Sequence, residues 1–364
     1  MPPSSPHQPA GESPRPDTPI SFLDTVLGSV KSLFSRRARL AGDARKSMPE
    51  LFNSRDRLNY DFVLELLRLV GHVYIEYFAT RYGLRAESWK PASARWNYGR
   101  YAPAETPHGY EAVCTINLVG GETRWPIGRI LKRGAREFYI VFRGTVSEEE
   151  WIKDILVMQT ENTVPFAGGR PAGKIHLGFL RMFRRLDPPP DEWGACMRRA
   201  SGSDAPLAEG NLKLFIAGHS LGGALGTLAA LHYHTYRPTL LTFGSPRPGD
   251  PTFATTFNEL VPNALRLANQ WDPVADLPAA DVDLLFRRYR YAHVGRHYPL
   301  FALSQMDGPS LVKIIDTNEN WRDWKDYVLE TLLDPASGHR IDPLFAHQLR
   351  TYEYALTRDR KLGR

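Results

Sequence analysis

Residues 212–234, LKLFIAGHSLGGALGTLAALHYH, decide the fold. The opening LKLFIA is an almost unbroken apolar run, the signature of a strand covered on both faces. From Leu221 to about residue 235 the chain reads as a helix, and the junction is Gly218-His219-Ser220-Leu221-Gly222, a G-x-S-x-G sequence at a strand-to-helix turn. The pattern alone is weak; its position between strand and helix gives it weight. Such a turn holds its serine in a strained conformation, and small residues around it let neighbouring backbone approach. Ser220 is therefore expected at the mouth of a helix N-terminus, where unpaired N–H groups and a partial positive charge favour developing negative charge.

Working outward, strand-like runs occur at 111–119, 125–132 and 137–143, the last containing EFYIVF. Downstream come a strand at 238–243, a short helix near 251–259 and a strand near 264–268. Strands alternating with helices predict an α/β fold with a mostly parallel central sheet flanked by helices. A long helix is expected over 58–83 and a loop over 85–110, and no internal repeat supports a solenoid or propeller. The expected organisation is a Pro-rich disordered tail over 1–20, an amphipathic basic segment and linker over 21–57, one domain over 58–357 and a basic tail over 358–364. In the second segment, Phe22, Leu23, Val26, Leu27, Val30, Leu33 and Phe34 fall at helical spacing ahead of Arg36, Arg37 and Arg39. That helix suits either docking on the body or lying on an anionic lipid surface.

A serine at this turn needs donors for an oxyanion, an acid and a base. The Leu221 amide at the helix start is one candidate donor, and Thr145, at the end of the buried strand in Phe142-Arg143-Gly144-Thr145, is the other. In the chain order Ser, acid, His, Asp272 is the best acid: it follows a predicted strand in Trp271-Asp272-Pro273-Val274. It would orient an imidazole and stabilise its cation. The histidines beyond it are His293, His297, His339 and His347, and of these His347, His293 and His339 stay open as the base. His219 and His176 read as turn residues. Gly168 to Lys174 imitates the first part of a P-loop, but Ile175 stands where Ser or Thr is required and no strand precedes it.

Several blocks in order carry a resemblance: FYIVFRGT (138–145), WIKDI (151–155), HLGF (176–179), AGHSLGGAL (217–225), TFGSPRPGD (242–250) and LANQWDPVADLP (267–278). Over about 110–356 the chain resembles the class 3 lipases, the fungal-lipase-like branch of the α/β-hydrolases. That resemblance implies an α/β-hydrolase fold and a serine esterase cleaving carboxylic esters of lipids through an acyl-enzyme, without metal or organic cofactor. It implies Ser220 as nucleophile, Asp272 as acid and the Thr145 and Leu221 amides as oxyanion hole. It favours His347 as base, because the family's histidine opens a late helix with an aromatic and a Leu beyond it, as Tyr352 and Leu356 lie here. A triacylglycerol lipase or esterase is the expected activity; a phospholipase A1 at a membrane surface and a catalytically silent binding protein are the alternatives. The segment from Ser147 to Leu156, with a Ser147/Glu150 capping box, reads as a lid or as a fixed core helix. The insertion at 302–338, with Trp321, Trp324, Tyr327 and Leu332, reads as a wall of the cleft or as packing.

Charge excludes one class of partner. The formal net charge is +6, but +3 of it lies in residues 1–60 and +3 in 348–364, so the body is neutral, and no nucleic-acid-binding signature accompanies it. Two cysteines, Cys114 and Cys196, make no disulfide framework and lack zinc-site spacing. The opening MPPSSPHQPAGESPRPDTP shows no leader pattern and no apolar stretch reaches bilayer length, so the cytoplasm is the expected location, with peripheral contact at a lipid interface left open.

Overall fold

Along Glu137–Phe142 and Lys213–His219, alternate side chains enter two different core layers. Phe138, Ile140, Phe142, Leu214 and Ile216 go to one, and Tyr139, Val141, Phe215 and Ala217 to the other. A period of two with both faces apolar makes these the central strands, as their sequences predict. The computed structural model describes residues 48–53, 57–82, 107–145, 173–202, 212–284, 287–307, 311–315, 340–341 and 346–361. Its strands are β1 (Glu111–Gly120), β2 (Thr123–Arg133), β3 (Glu137–Phe142), β4 (Leu186–Asp187), β5 (Lys213–His219), β6 (Thr239–Phe243), β7 (Ala264–Asn269), β8 (Asp281–Leu284), β9 (Arg287–Arg290), β10 (Arg296–Leu300), β11 (Leu303–Asp307), β12 (Leu311–Ile315) and β13 (Arg340–Ile341).

The main sheet has eight strands in the order β10-β7-β6-β5-β3-β2-β1-β4. From β10 to β3 every pairing is parallel, whereas β3, β2, β1 and β4 pair antiparallel. Beside it stand a three-stranded sheet, β12-β11-β13, and the β8-β9 hairpin. Six helices are described: α1 (Tyr60–Tyr82), α2 (Leu177–Phe183), α3 (Pro190–Ser201), α4 (Leu221–His232), α5 (Pro251–Leu260) and α6 (Leu349–Lys361). Helices α2 to α5 cover one sheet face through residues such as Phe183, Trp193, Leu225 and Phe253. The opposite face lies under α1 and α6, through Val63, Leu67, Val70, Tyr352 and Leu356. Because α4 is pressed between the sheet and neighbouring helices, all its residues from Leu221 to Leu231 are buried. It stops short of residue 235, where a 3-10 turn (His234–Tyr236) and a left-handed Arg237 redirect the chain. Among the described residues no helix is long and apolar enough to cross a membrane.

Met48, Leu51 and Phe52, assigned to a linker ending at residue 57, are buried in the layer beneath α1. At the other end α6 runs through residues 358–361, where a separate basic tail was expected. Arg358 and Asp359 are buried there as an ion pair at 2.7 Å, and Arg358 also donates to the Phe301 carbonyl at 2.8 Å. The 1–20 tail, the 22–39 helix, the 147–156 segment and the 321–332 stripe lie outside the described residues.

Candidate active site

The β5 ladder ends where His219 pairs with Phe243, and α4 starts two residues later. Ser220, between them, has φ 58° and ψ −129°, a conformation costing an L-residue about 1–3 kcal/mol. Its N–H donates to the Phe243 carbonyl at 2.9 Å and its carbonyl accepts from Gly223 at 2.8 Å, so backbone bonds hold the bend. The side chain makes no capping bond to the helix. Close approach explains Gly218: a β-carbon there would lie 2.0 Å from the Gly222 carbonyl oxygen.

Asp272 stands three residues beyond β7. Its carboxylate accepts from the Val274 N–H at 2.9 Å, from His347 Nδ1 at 2.9 Å (Oδ1) and 2.8 Å (Oδ2), and from the Tyr352 hydroxyl at 2.5 Å. The acid and the imidazole are both buried, at 2% and 1% exposure. Burial by itself raises the Asp272 pKa, but the adjoining His347 imidazole, with hydrogen bonds from His347 and Tyr352, brings it below the ordinary carboxylate value. With Nδ1–H committed to the carboxylate, Nε2 of His347 carries the lone pair. Gly244, in the turn after β6, has φ +57° and packs directly against this pair: a β-carbon there would meet Asp272 Oδ2 at 2.5 Å and His347 Nδ1 at 3.1 Å. Ser220, at the carboxyl end of β5, is hydrogen-bonded to the residue before Gly244, and its neighbour His219 stacks on the His347 ring. Of the other candidate bases, His293 is held among Arg266, Arg247 and the backbone of Ala275. Burial and then the two guanidiniums push it down to about 2. His339 lies outside the described residues.

The upstream donor candidate is tightly held. Arg143, buried, donates Nε to the Pro126 carbonyl at 2.7 Å and Nη1 to the Gly144 carbonyl at 2.6 Å, with its guanidinium 4.0 Å from the centre of the Tyr77 ring. Burial, opposed by Tyr74 and Tyr77, lowers its pKa to about 10. The Gly144 N–H donates to the Tyr74 hydroxyl at 2.8 Å. Both polar groups of Gly144 are therefore committed. Because C=O and N–H oppose each other across a trans peptide, Arg143 turns the Thr145 N–H away from itself. The Thr145 hydroxyl oxygen is buried with no hydrogen-bond partner among the described residues. Leu221, the other donor candidate, opens α4 and is buried.

Sequence reasoning passed over Tyr74, Arg143 and the hydrogen bond of Tyr352. Only Arg143 carried a signal, as a cation inside an apolar strand-end block. His219 does more than shape the turn: its ring stacks on His347 with centroids 4.7 Å apart, and it hydrogen-bonds at both nitrogens. His176 does serve a turn, accepting from the Gly178 N–H at 3.1 Å as the cap of α2. At the end of the P-loop-like run, the Lys174 N–H donates to the Asp250 carboxylate at 3.0 Å, so an anion of the protein's own occupies that amide.

A mainly parallel sheet covered by helices, with a strained serine at the β5–α4 turn and a buried Asp–His pair after the later strands, is the arrangement of the α/β-hydrolase fold. Residues 139–282 match the family model described as Lipase (class 3). It is 31% identical over 188 residues to "Phospholipase A1 EG1, chloroplastic/mitochondrial" of Oryza sativa subsp. indica, covering 46% of this chain and 43% of that protein. It is also 31% identical over 183 residues to a lipase of Rhizomucor miehei, covering 46% and 44%. The chain thus spans less than half the length of these relatives. Among solved structures, the native propeptide complex of Rhizomucor miehei lipase is 22% identical with a TM-score of 0.44, covering 70% of this chain and 73% of that one.

Proposed function

We propose that this protein hydrolyses carboxylic esters of lipids through an acyl-enzyme on Ser220. The Ser220 oxygen attacks the ester carbonyl carbon while His347 Nε2 takes the hydroxyl proton. The resulting imidazolium is stabilised by Asp272, and the oxyanion by the amides of Leu221 and Thr145. Collapse expels the alcohol, which receives the proton from His347. Water then enters by the same route, again deprotonated by His347, and releases the fatty acid and the serine hydroxyl.

One observation carries this reading: the Asp272 carboxylate grips His347 Nδ1 with both oxygens, buried, and the His347 ring stacks on His219, the residue before the serine of a strained strand–helix turn. The similarity to proteins named lipase and phospholipase A1 supports lipid esters as the substrate class. The test is turnover of short- and long-chain p-nitrophenyl esters by wild type and Ser220→Ala. Wild type is expected to turn over, and the variant to lose at least about 10³-fold in kcat. A wild type inert on every ester and phospholipid would sink the proposal in favour of a lipase-like binding protein. Fatty acid release from glyceride and phospholipid digests, compared by mass analysis, assigns the alcohol half of the substrate.

A further inference from the structure

We propose that Tyr74 and His219 are positioning residues: they form a one-way hydrogen-bond relay that ties the oxyanion-side loop to the backbone of the base. The relay starts at the Gly144 N–H, which donates to the Tyr74 oxygen at 2.8 Å. Tyr74 meets His219 Nδ1 at 2.8 Å, and His219 Nε2 meets the His347 carbonyl oxygen at 2.7 Å. Its sense follows from the two ends. A carbonyl can only accept, so Nε2 of His219 carries the hydrogen. In a neutral ring Nδ1 is then the acceptor, and Tyr74 uses its single proton there while accepting from Gly144.

His219 stays neutral because burial, then the neighbouring His347, depress it to about 3. Tyr74 and His219 are themselves 1% exposed, so water does not substitute for a lost partner. Tyr74 belongs to α1, outside the span that matches the class 3 family. The helix thereby supplies a polar clamp as well as an apolar face. One end of the relay holds the residue before the donor Thr145, and the other holds the main chain of the base, with His219 itself adjoining Ser220. Such a tether keeps donor, nucleophile and base in one geometry before the oxyanion forms, which is where preorganised donors act.

The inference rests on the ester-hydrolase reading, and its test separates the two. Full-length wild type, Tyr74→Phe, His219→Phe and His219→Gln are compared on p-nitrophenyl butyrate, with thermal unfolding alongside. Tyr74→Phe is expected to lower kcat about 10- to 100-fold with KM within about twofold, because only transition-state geometry is loosened. His219→Gln, which keeps a donor where Nε2 stood, is expected to recover part of the kcat that His219→Phe loses. Nitrogen NMR of labelled histidines supplies a readout independent of turnover: His219 is expected as the neutral Nε2–H tautomer from pH 6 to 8. A Tyr74→Phe enzyme with wild-type kcat, a loss confined to KM, or an Nδ1–H or doubly protonated His219 would each overturn the relay. Wild-type inactivity on all esters would instead overturn the hydrolase reading, and the relay's kinetic role with it.

Discussion

Tyr352 shows how much one hydroxyl can organise. It accepts the Asn269 N–H at 3.1 Å and donates to Asp272 Oδ2 at 2.5 Å, so it joins the end of β7 to the acid. Its removal in Tyr352→Phe strands a buried N–H and takes one stabilising contact from the carboxylate. An unfolding free energy lower by about 1–3 kcal/mol is expected from denaturant titration, together with a fall in kcat/KM of roughly tenfold. An unchanged kcat/KM would remove Tyr352 from the acid's support. Ser220 and Asp272 were legible because strand ends and chain order limit the choice. Tyr352 and Tyr74 were not, because aromatics inside apolar helical stripes look alike whether their hydroxyls are bonded or idle.

The β5–α4 elbow is the element on which the site is built, and its tightness is testable. Gly218→Ala places a methyl carbon 2.0 Å from the Gly222 carbonyl oxygen, a backbone atom with no rotamer to yield. Destabilisation by more than about 3 kcal/mol is expected, read as loss of soluble protein or a strongly lowered melting midpoint by circular dichroism. A Gly218→Ala protein melting like wild type would show that the elbow has slack. The runs behind β3 and β5 declared themselves through their uniform apolarity. By contrast, β10 carries Arg296, His297 and Pro299 and has no strand pattern; it forms because the edge of β7 offers a parallel ladder, with Tyr298 and Leu300 turned into the core. Helix α3 had a start signal, with Pro190 followed by Asp191 and Glu192 in its first turn. Its contribution to the core comes mainly from Trp193 and Met197, too sparse a stripe to announce a helix.

At the scale of the molecule, buried histidines make stability depend on pH. His219 is lowered to about 3 and His293 to about 2, from an unfolded value near 6.5, mainly by burial. Between pH 6.5 and those folded values the unfolded chain binds protons that the native protein excludes, so stability falls as pH falls. The slope is about 1.4 kcal/mol per pH unit for each histidine once the unfolded chain is fully protonated. Asp272, lowered in the folded state, adds its loss in the same direction, but only below its unfolded value of 3.8. Urea unfolding at a series of pH values is expected to give a plateau above pH 7 and a steep decline from 6 to 4. A flat profile across that range would mean these histidines are not held neutral.

By itself the sequence determined the α/β class, the central strands and the elbow serine, because periodicity and glycine placement are local properties that a strand or turn imposes on its own residues. Only the tertiary structure decided that His347, and not His293, reaches Asp272. It alone seated Met48, Leu51 and Phe52 in the core and brought Tyr74 of α1 to the imidazole of His219. Each of those outcomes is a contact of about 3–4 Å between segments far apart in the chain, and such distances exist only once the sheet and helices have packed.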